Sequence, residues 1–321
     1  MIVVEGADEV PQAARGGVYA IGNFDGVHRG HQALLARTRA IAERLDAPAG
    51  VMVFEPHPQV FFAPDKPHFR LTPKSAKLAL LEQTGLDAVV VMPFDAALAE
   101  LTAEEFIERV LVEGLAARHI VVGYDFQFGK KRGGTAQTLI DASKMYGFEV
   151  SVVEPQSSGD TVYSSSQIRK NLAAGNVLAA ATLLGHWWRV TGRVVAGAKR
   201  GTGLGYPTAN IVLAKGTVLG HGIYAVRVFT EDGVSHQAAA YLGTRPTFDD
   251  GAPVLEVFLF DFDDDLYGRE ISIEFVDFIR GDKAYETGEA LAAQMEKDVA
   301  HAKERLARAG GSPPNSQNSG I

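Results

Sequence analysis

The sequence predicts an α/β chain in two parts. A doubly wound parallel sheet occupies residues 1–185, and an antiparallel β-barrel with a terminal helix occupies 186–309. Three observations carry this. In the first half, apolar runs without polar alternation are each followed by a helical pattern, as in a parallel sheet covered on both faces. In the second half, strand-like runs are separated by turns with no helix between them. One long helical pattern, Glu286–Ala307, then closes the folded chain.

The elements follow in order. Val18–Ile21 is the first strand, and Leu34, Leu35, Thr38, Ile41 and Leu45 recur after it at helical spacing. Val51–Phe54, Ala88–Met92, Ile120–Gly123 and Phe148–Val153 are four more strands. Helices fall at Ser75–Thr84, from a Thr102/Glu105 capping box through Leu111, and at Thr135–Tyr146. Two short helices, Ser164–Ala173 and Val177–Leu184, end this half. The barrel strands are Trp188–Val195, Ile223–Phe229, Gln237–Leu242, Val254–Phe262 and Glu270–Ile279, with turns at Glu231–Gly233 and Asp263–Gly268. Residues 310–321 have almost nothing to bury and read as a disordered tail.

Composition narrows the function. The 321 residues suit two domains. Lys and Arg total 31 against 39 Asp and Glu, a formal net charge of −8, which argues against a nucleic-acid partner. There is no cysteine, so disulfides, thiolate metal sites and cysteine nucleophiles are excluded. The start does not read as a signal peptide, and no apolar run reaches the roughly 20 residues a membrane helix needs. The expected setting is cytoplasmic with no membrane partner. Homo-oligomerisation is left open.

Gly22-Asn23-Phe24-Asp25-Gly26-Val27-His28-Arg29-Gly30-His31 joins the first strand to the first long helix. Ligands of doubly wound sheets bind beyond the strand carboxyl ends, and a helix N-terminus there favours phosphate. His28 and His31 share one helix face at a spacing of three. Imidazoles so placed can donate to a pentavalent phosphorus centre and a leaving pyrophosphate. By spacing alone they also suit a surface pair or half a metal site. Ser164 can cap its helix, with Gln167 completing a capping box, which leaves Ser165, Ser166 and Arg169 near a positive helix end.

In the barrel half, Gly197–Asn210 is a glycine-rich basic loop that can wrap phosphates. Thr208 and Asn210 face one side of an extended segment and offer neutral oxygens to a hard cation such as Mg²⁺. Glu256 shares a strand face with Phe258, Phe260 and Phe262, where a carboxylate is costly unless paired or functional. An ion pair and a general base are both open.

Several ordered motifs resemble one family. GNFDGVHRGHQ is similar to the HxGH signature of flavin adenylyltransferases. Gly123–Gly129 resembles their GxDFxFG loop, Ser164–Arg169 their SSSxIR element, and Phe54–Pro58 a further segment. PTAN, ending at Asn210, resembles the riboflavin kinase signature. Together they resemble the bacterial bifunctional riboflavin kinase/FMN adenylyltransferases over about Val18 to Leu306. The resemblance implies that ATP phosphorylates riboflavin to FMN on the barrel, and that FMN is then adenylylated to FAD with release of pyrophosphate. It implies ATP contacts in the first domain from Gly22, Phe24, Asp25, His28, His31, Asp125, Ser164, Ser165, Ser166 and Arg169. On the barrel it implies ATP contacts from Gly197, Lys199, Gly201, Gly205, Thr208 and Asn210, with Mg²⁺ on Thr208 and Asn210. Glu256 would be the kinase base, and Arg280 and Asp282 would help close the flavin site. The pattern departs at Ala196, at His186-Trp187-Trp188 and along Arg280–Tyr285. The alternative is an adenylyltransferase whose barrel binds flavin without catalysing.

Overall fold

Six parallel strands form the first sheet: β1 (Ile2–Glu5), β2 (Val18–Ile21), β3 (Ala49–Glu55), β4 (Ala88–Pro93), β5 (His119–Gly123) and, after a small hairpin, β8 (Glu149–Val153). The computed structural model describes residues 1–158, 161–195, 208–214, 216–244 and 253–313. The sheet order is β1-β4-β3-β2-β5-β8. The four central strands, β2 to β5, read as apolar runs because both faces are covered. Tyr19, Ile21, Met52 and Phe54 enter one core with Phe106, Val110 and Leu111. Val18, Ala20, Val51 and Val53 enter the other with Leu34, Leu35 and Ile41 of α1 (Arg29–Leu45). β1 was not expected. It is a four-residue edge strand in which only Val4 is buried, too short to leave a periodic signal.

The remaining elements of this unit are α2 (Pro58–Phe62), α3 (Lys74–Glu82), α4 (Ala96–Glu100), α5 (Ala103–Phe106), the β6/β7 pair (Gln127–Phe128 and Gly134–Thr135), α6 (Ala136–Tyr146) and the β9/β10 pair (Ser157–Ser158 and Thr161–Val162). The Thr102/Glu105 capping box forms, with Thr102 N–H donating to Glu105 over 2.9 Å and Glu105 N–H returning the bond over 3.2 Å. α5 runs on as a π-helical segment, Ile107–Gly114, three residues past the expected end.

β2 is the pivot of the sheet. Its neighbours are β3 on one side and β5 on the other, so the chain order reverses there. The crevice at the carboxyl ends of β2 and β5 is therefore the topological switch point, and the Gly22–His28 connector leaves β2 at that edge.

In the second unit, α7 (Ser165–Ala173) and α8 (Val177–Leu184) precede a closed antiparallel barrel of order β11-β12-β15-β14-β13-β16. The strands are β11 (Trp188–Val195), β12 (Ala209–Val212), β13 (Gly222–Phe229), β14 (Ser235–Thr244), β15 (Pro253–Leu259) and β16 (Glu270–Arg280). Leu255, Val257, Ile271, Ile273 and Phe275 alternate into its interior. On the outside, Trp187, Ala225, Phe260 and Val276 pack against Ala302 and Leu306 of α9 (Gly288–Arg308).

Three details differ from expectation. β12 is a full barrel strand between β11 and β15. β15 ends at Leu259, and Asp261 takes φ 52°, so the expected Glu256/Phe258/Phe260/Phe262 face is broken. Phe260 joins the α9 cluster, whereas Phe262 packs on His236. By packing, the chain divides into Met1–Tyr163 and Ser164–Ile321, which groups α7 and α8 with the barrel, whereas the sequence suggested 185/186. Of the expected tail, residues 314–321 lie outside the described residues.

Candidate active sites

His28 is the N-cap of α1, and its Nδ1 accepts the His31 N–H over 3.4 Å. The two imidazoles stack with ring centroids 3.6 Å apart, and Phe24 packs on His31 at 4.9 Å. Phe24 and Val27 hold φ of 49° and 40°, left-handed values uncommon outside glycine. Such strain concentrates at functional turns. Gly30 makes the stack fit: a Cβ there would lie 3.1 Å from the His28 ring and 3.3 Å from the Tyr163 carbonyl oxygen. His31 is half-buried, with Nδ1 sealed from solvent and without a hydrogen-bond partner among the described residues. Burial first, then the nearby His28 and Lys77, push its pKa well below 6.5. It is a neutral imidazole at pH 7.

Asp25 is buried, and its oxygens accept from the Leu71 and Thr72 N–H groups, each at 3.1 Å. Gly26 N–H donates to the Thr72 hydroxyl over 3.0 Å. Asp25 thus ties the Gly22–His28 turn to the segment that leads into α3. Gly22 ends the β2 edge, where a Cβ would meet the Phe24 ring at 3.2 Å. His57 caps α2, accepting Gln59 N–H over 3.2 Å, and stacks on His68.

Two features of this unit escaped the sequence reading. The first is a buried charge cluster. The Lys77 ammonium donates to Glu55 over 2.9 Å, and Arg70 donates to both oxygens of the same carboxylate at 2.6 and 2.8 Å. The second is an aromatic shelf. Phe94 meets Phe54, Phe61 and Phe62 edge-on, and Phe62 is 67% exposed. A lysine on the apolar stripe of a helix was the available signal for the first; the Phe61-Phe62 doublet was the signal for the second.

Gly123 ends β5, and Tyr124 and Asp125 stand exposed beyond it. This connector leaves the strand next to β2, at the same carboxyl edge of the sheet as Gly22–His31. Phe128 anchors it by packing on Phe106 and Phe126. Lys130 pairs with Glu100 on the surface, as a solvated loop would. Ser164 caps α7 by accepting Gln167 N–H over 3.2 Å. Only that half of the expected capping box forms. Ser165 and Ser166 fill the first turn, and Arg169 is half-buried.

The barrel unit has its own site. Asn210 on β12 and Tyr241 on β14 both pair in register with Glu256 on β15. Directly opposed residues share a sheet face, so the carboxylate lies between an amide and a phenol. Asn210 is buried and donates to the Thr208 carbonyl over 3.3 Å. A cavity of about 550 Å³ opens here, lined by Thr208, Tyr241, Glu256 and Phe258 on the wall and by Arg280, Asp282 and Tyr285 towards α9. It brings together four residues singled out from sequence: Thr208, Glu256, Arg280 and Asp282. Arg280 has a further task. It binds Asp298 of α9 at 2.9 and 2.7 Å, and Gln294 also donates to that carboxylate. Gly197, Lys199, Gly201 and Gly205 lie outside the described residues.

Residues 10–167 match the FAD synthetase family and residues 184–306 the riboflavin kinase family. The bifunctional riboflavin kinase/FMN adenylyltransferase of Pseudomonas fluorescens is 40% identical over 304 residues, 94% of this chain and 97% of the relative. Its Escherichia coli K12 counterpart is 39% identical over 305 residues, 95% of this chain and 97% of the relative. A solved structure described as a macrolide-efflux protein from Streptococcus pneumoniae superimposes with a TM-score of 0.84 at 30% identity, covering 94% of this chain and 99% of that one. Among the described residues no helix is long and apolar enough to cross a membrane. With an adenylyltransferase half and a kinase half matched in order, and with relatives aligned along nearly its whole length, the chain belongs to the bifunctional riboflavin kinase/FMN adenylyltransferase family.

Proposed function

We propose that the chain makes FAD from riboflavin in two steps, each in its own unit and each consuming ATP. On the barrel, Glu256 accepts the proton of the riboflavin 5′-hydroxyl. The oxygen forms a bond to the γ-phosphorus as the bond to the β-phosphate oxygen breaks, which yields FMN and ADP. The observation that supports this is Glu256 on the wall of a cavity of about 550 Å³, in strand register with Asn210. Oxygen donors from Thr208 and Asn210, with ATP phosphates and water completing the shell, suit Mg²⁺. When bound, Mg²⁺ would neutralise the transferring phosphate. Arg280, through Asp298, holds the loop bearing Asp282 and Tyr285 over the flavin. The glycines and Lys199 of the 197–205 segment are assigned to ATP phosphates by resemblance alone.

In the first unit, an FMN phosphate oxygen attacks the α-phosphorus of ATP and pyrophosphate leaves. The attacking oxygen is already anionic, so no base is needed. His28 and neutral His31 orient and hydrogen-bond the phosphates as charge shifts to the leaving group. Gly22, Phe24 and Asp25 shape the turn, Asp125 stands at the same edge of the sheet, and Ser164, Ser165, Ser166 and Arg169 are assigned to the nucleotide by resemblance alone. The exposed Phe62 shelf suits the flat apolar isoalloxazine. We place the enzyme in the cytoplasm, where both substrates are made soluble by phosphate or ribityl groups. Incubation with riboflavin, ATP and Mg²⁺, followed by chromatographic separation of riboflavin, FMN and FAD, tests both steps. FMN and then FAD should appear in sequence, and failure to form either product refutes the corresponding half.

A further inference from the structure

Lysine is almost never fully buried unless it is paired, yet Lys77 is 1% exposed. It occupies the inward stripe of α3 with Leu81. An apolar side chain there would avoid the cost of desolvating a charge. Its partner Glu55, at the carboxyl end of β3, is already bound by Arg70 at 2.6 and 2.8 Å. One carboxylate therefore faces two cations, which leaves one positive charge in surplus. No third acid joins the cluster among the described residues: neither Lys77 nor Arg70 meets a carboxylate other than Glu55.

That surplus adjoins the histidine turn: Glu55 ends β3, the strand paired with β2, and Arg70 directly precedes Leu71 and Thr72, whose N–H groups hold Asp25. His31 feels Lys77 from α3 and His28 from its own helix, and both act against its protonation. Phe24 covers the other side of the ring. The nearby Asp25 has its oxygens on the Leu71 and Thr72 N–H groups and remains part of the turn. A surplus cation at the carboxyl edge of the sheet, near a helix N-terminus, is complementary to a polyphosphate anion.

We propose that Lys77 is a positioning residue of the adenylyltransferase site: the Glu55–Arg70–Lys77 cluster holds one surplus positive charge for the polyphosphate of ATP. This rests on the assignment of His28 and His31 to the ATP phosphates.

The test uses the full chain, with FMN and ATP as substrates and pyrophosphate as product inhibitor. Lys77→Met should raise the KM for ATP and the inhibition constant for pyrophosphate about tenfold, as for the loss of one charge at an effective dielectric near 20. The acid limb of the pH–rate profile should move to higher pH, because His31 loses a neighbouring cation. FMN formation by the barrel should not change. The deciding variant is E55Q/K77M. It leaves Arg70 as the lone cation and so restores the surplus charge; it should recover most of the lost ATP affinity. A merely structural cluster predicts the double variant to be no better than Lys77→Met, and that result overturns the proposal. So does a folded Lys77→Met with unaltered KM, inhibition and pH profile. If Lys77→Met unfolds the first unit, Arg70→Gln removes the same charge from a side chain that is 28% exposed and should show the same three changes. His31→Ala separates the two ideas. Retained FAD formation refutes the histidine assignment, whereas loss of FAD formation with a silent Lys77→Met refutes only the role of Lys77.

Discussion

The imidazole of His28 lies on that of His31 with centroids 3.6 Å apart and planes 21° from parallel. Two imidazolium ions could not hold that distance without strong repulsion. Burial, His28 and Lys77 keep His31 unprotonated. In the proposed role, the stack presents imidazole N–H groups to the phosphates without cation–cation repulsion within the pair. It depends on the missing side chain at Gly30.

Gly30→Ala should therefore damage adenylyl transfer more than stability. A methyl group 3.1 Å from His28 Cε1 and 3.2 Å from Nδ1 must push the ring off its partner, because the Tyr163 carbonyl closes the other side. Alanine favours helix, which offsets part of the strain. FAD formation from FMN should fall roughly 10²-fold, as when one transition-state donor is lost. The melting temperature should move little. A turnover assay beside a thermal melt checks both.

The burial of His31 also makes stability depend on pH. Its folded pKa lies well below 6.5 while the unfolded chain has the ordinary value. Below 6.5 the unfolded state binds the extra proton, so stability falls as the pH drops from 6.5 towards the folded pKa, and it is fully present above 6.5. His31→Gln removes this pH dependence. The unfolding transition of the wild-type first unit should weaken between pH 7 and pH 5 by more than that of the variant, measured by denaturant titration at both pH values.

Much of this was legible in sequence, and the limits have physical causes. β2, β3, β4 and β5 announce themselves because strands buried on both faces must be apolar throughout, as Val89, Val90 and Val91 are. The histidine pair is local, so its spacing could be read directly. The Glu55–Lys77 contact spans 22 positions and the Glu55–Arg70 contact 15. No periodicity encodes which helix lysine meets which strand carboxylate. Tyr241 faces Glu256 only through barrel register, which no local pattern in either strand fixes. The aromatic alternation to Phe262 misled because a single left-handed residue, Asp261, ends the strand.

Arg280 should matter to the barrel as a strut. Its guanidinium binds the buried Asp298 through two nitrogens, and Gln294 completes that carboxylate. Arg280→Met leaves Asp298 with one neutral donor. Because the Arg280 side chain is 23% exposed, the loss is discounted from that of a fully buried pair to about 2 kcal/mol. The barrel should melt earlier, and the KM for riboflavin should rise more than kcat falls, since the loop carrying Asp282 and Tyr285 loses its tether to α9. Steady-state kinetics with riboflavin as the varied substrate would show the split.

Glu256 supplies the sharpest separation of the two activities. It sits between Asn210 and Tyr241 on adjacent strands, and Phe258 lies two positions on, on the same wall. Glu256→Gln keeps the shape and most of the hydrogen-bonding capacity but cannot take a proton at neutral pH. FMN formation should fall about 10²–10⁴-fold, the range for loss of a general base. Riboflavin binding should persist, because the cavity and its apolar lining are unaltered. Adenylylation of supplied FMN should continue at the wild-type rate, since His28 and His31 belong to a different unit. With riboflavin as the only flavin supplied, riboflavin should then accumulate unconverted. With FMN supplied, FAD should appear as before. Near-normal FMN formation by this variant would mean that the 5′-hydroxyl proton goes elsewhere, and the carboxylate would then be a structural neighbour of Asn210.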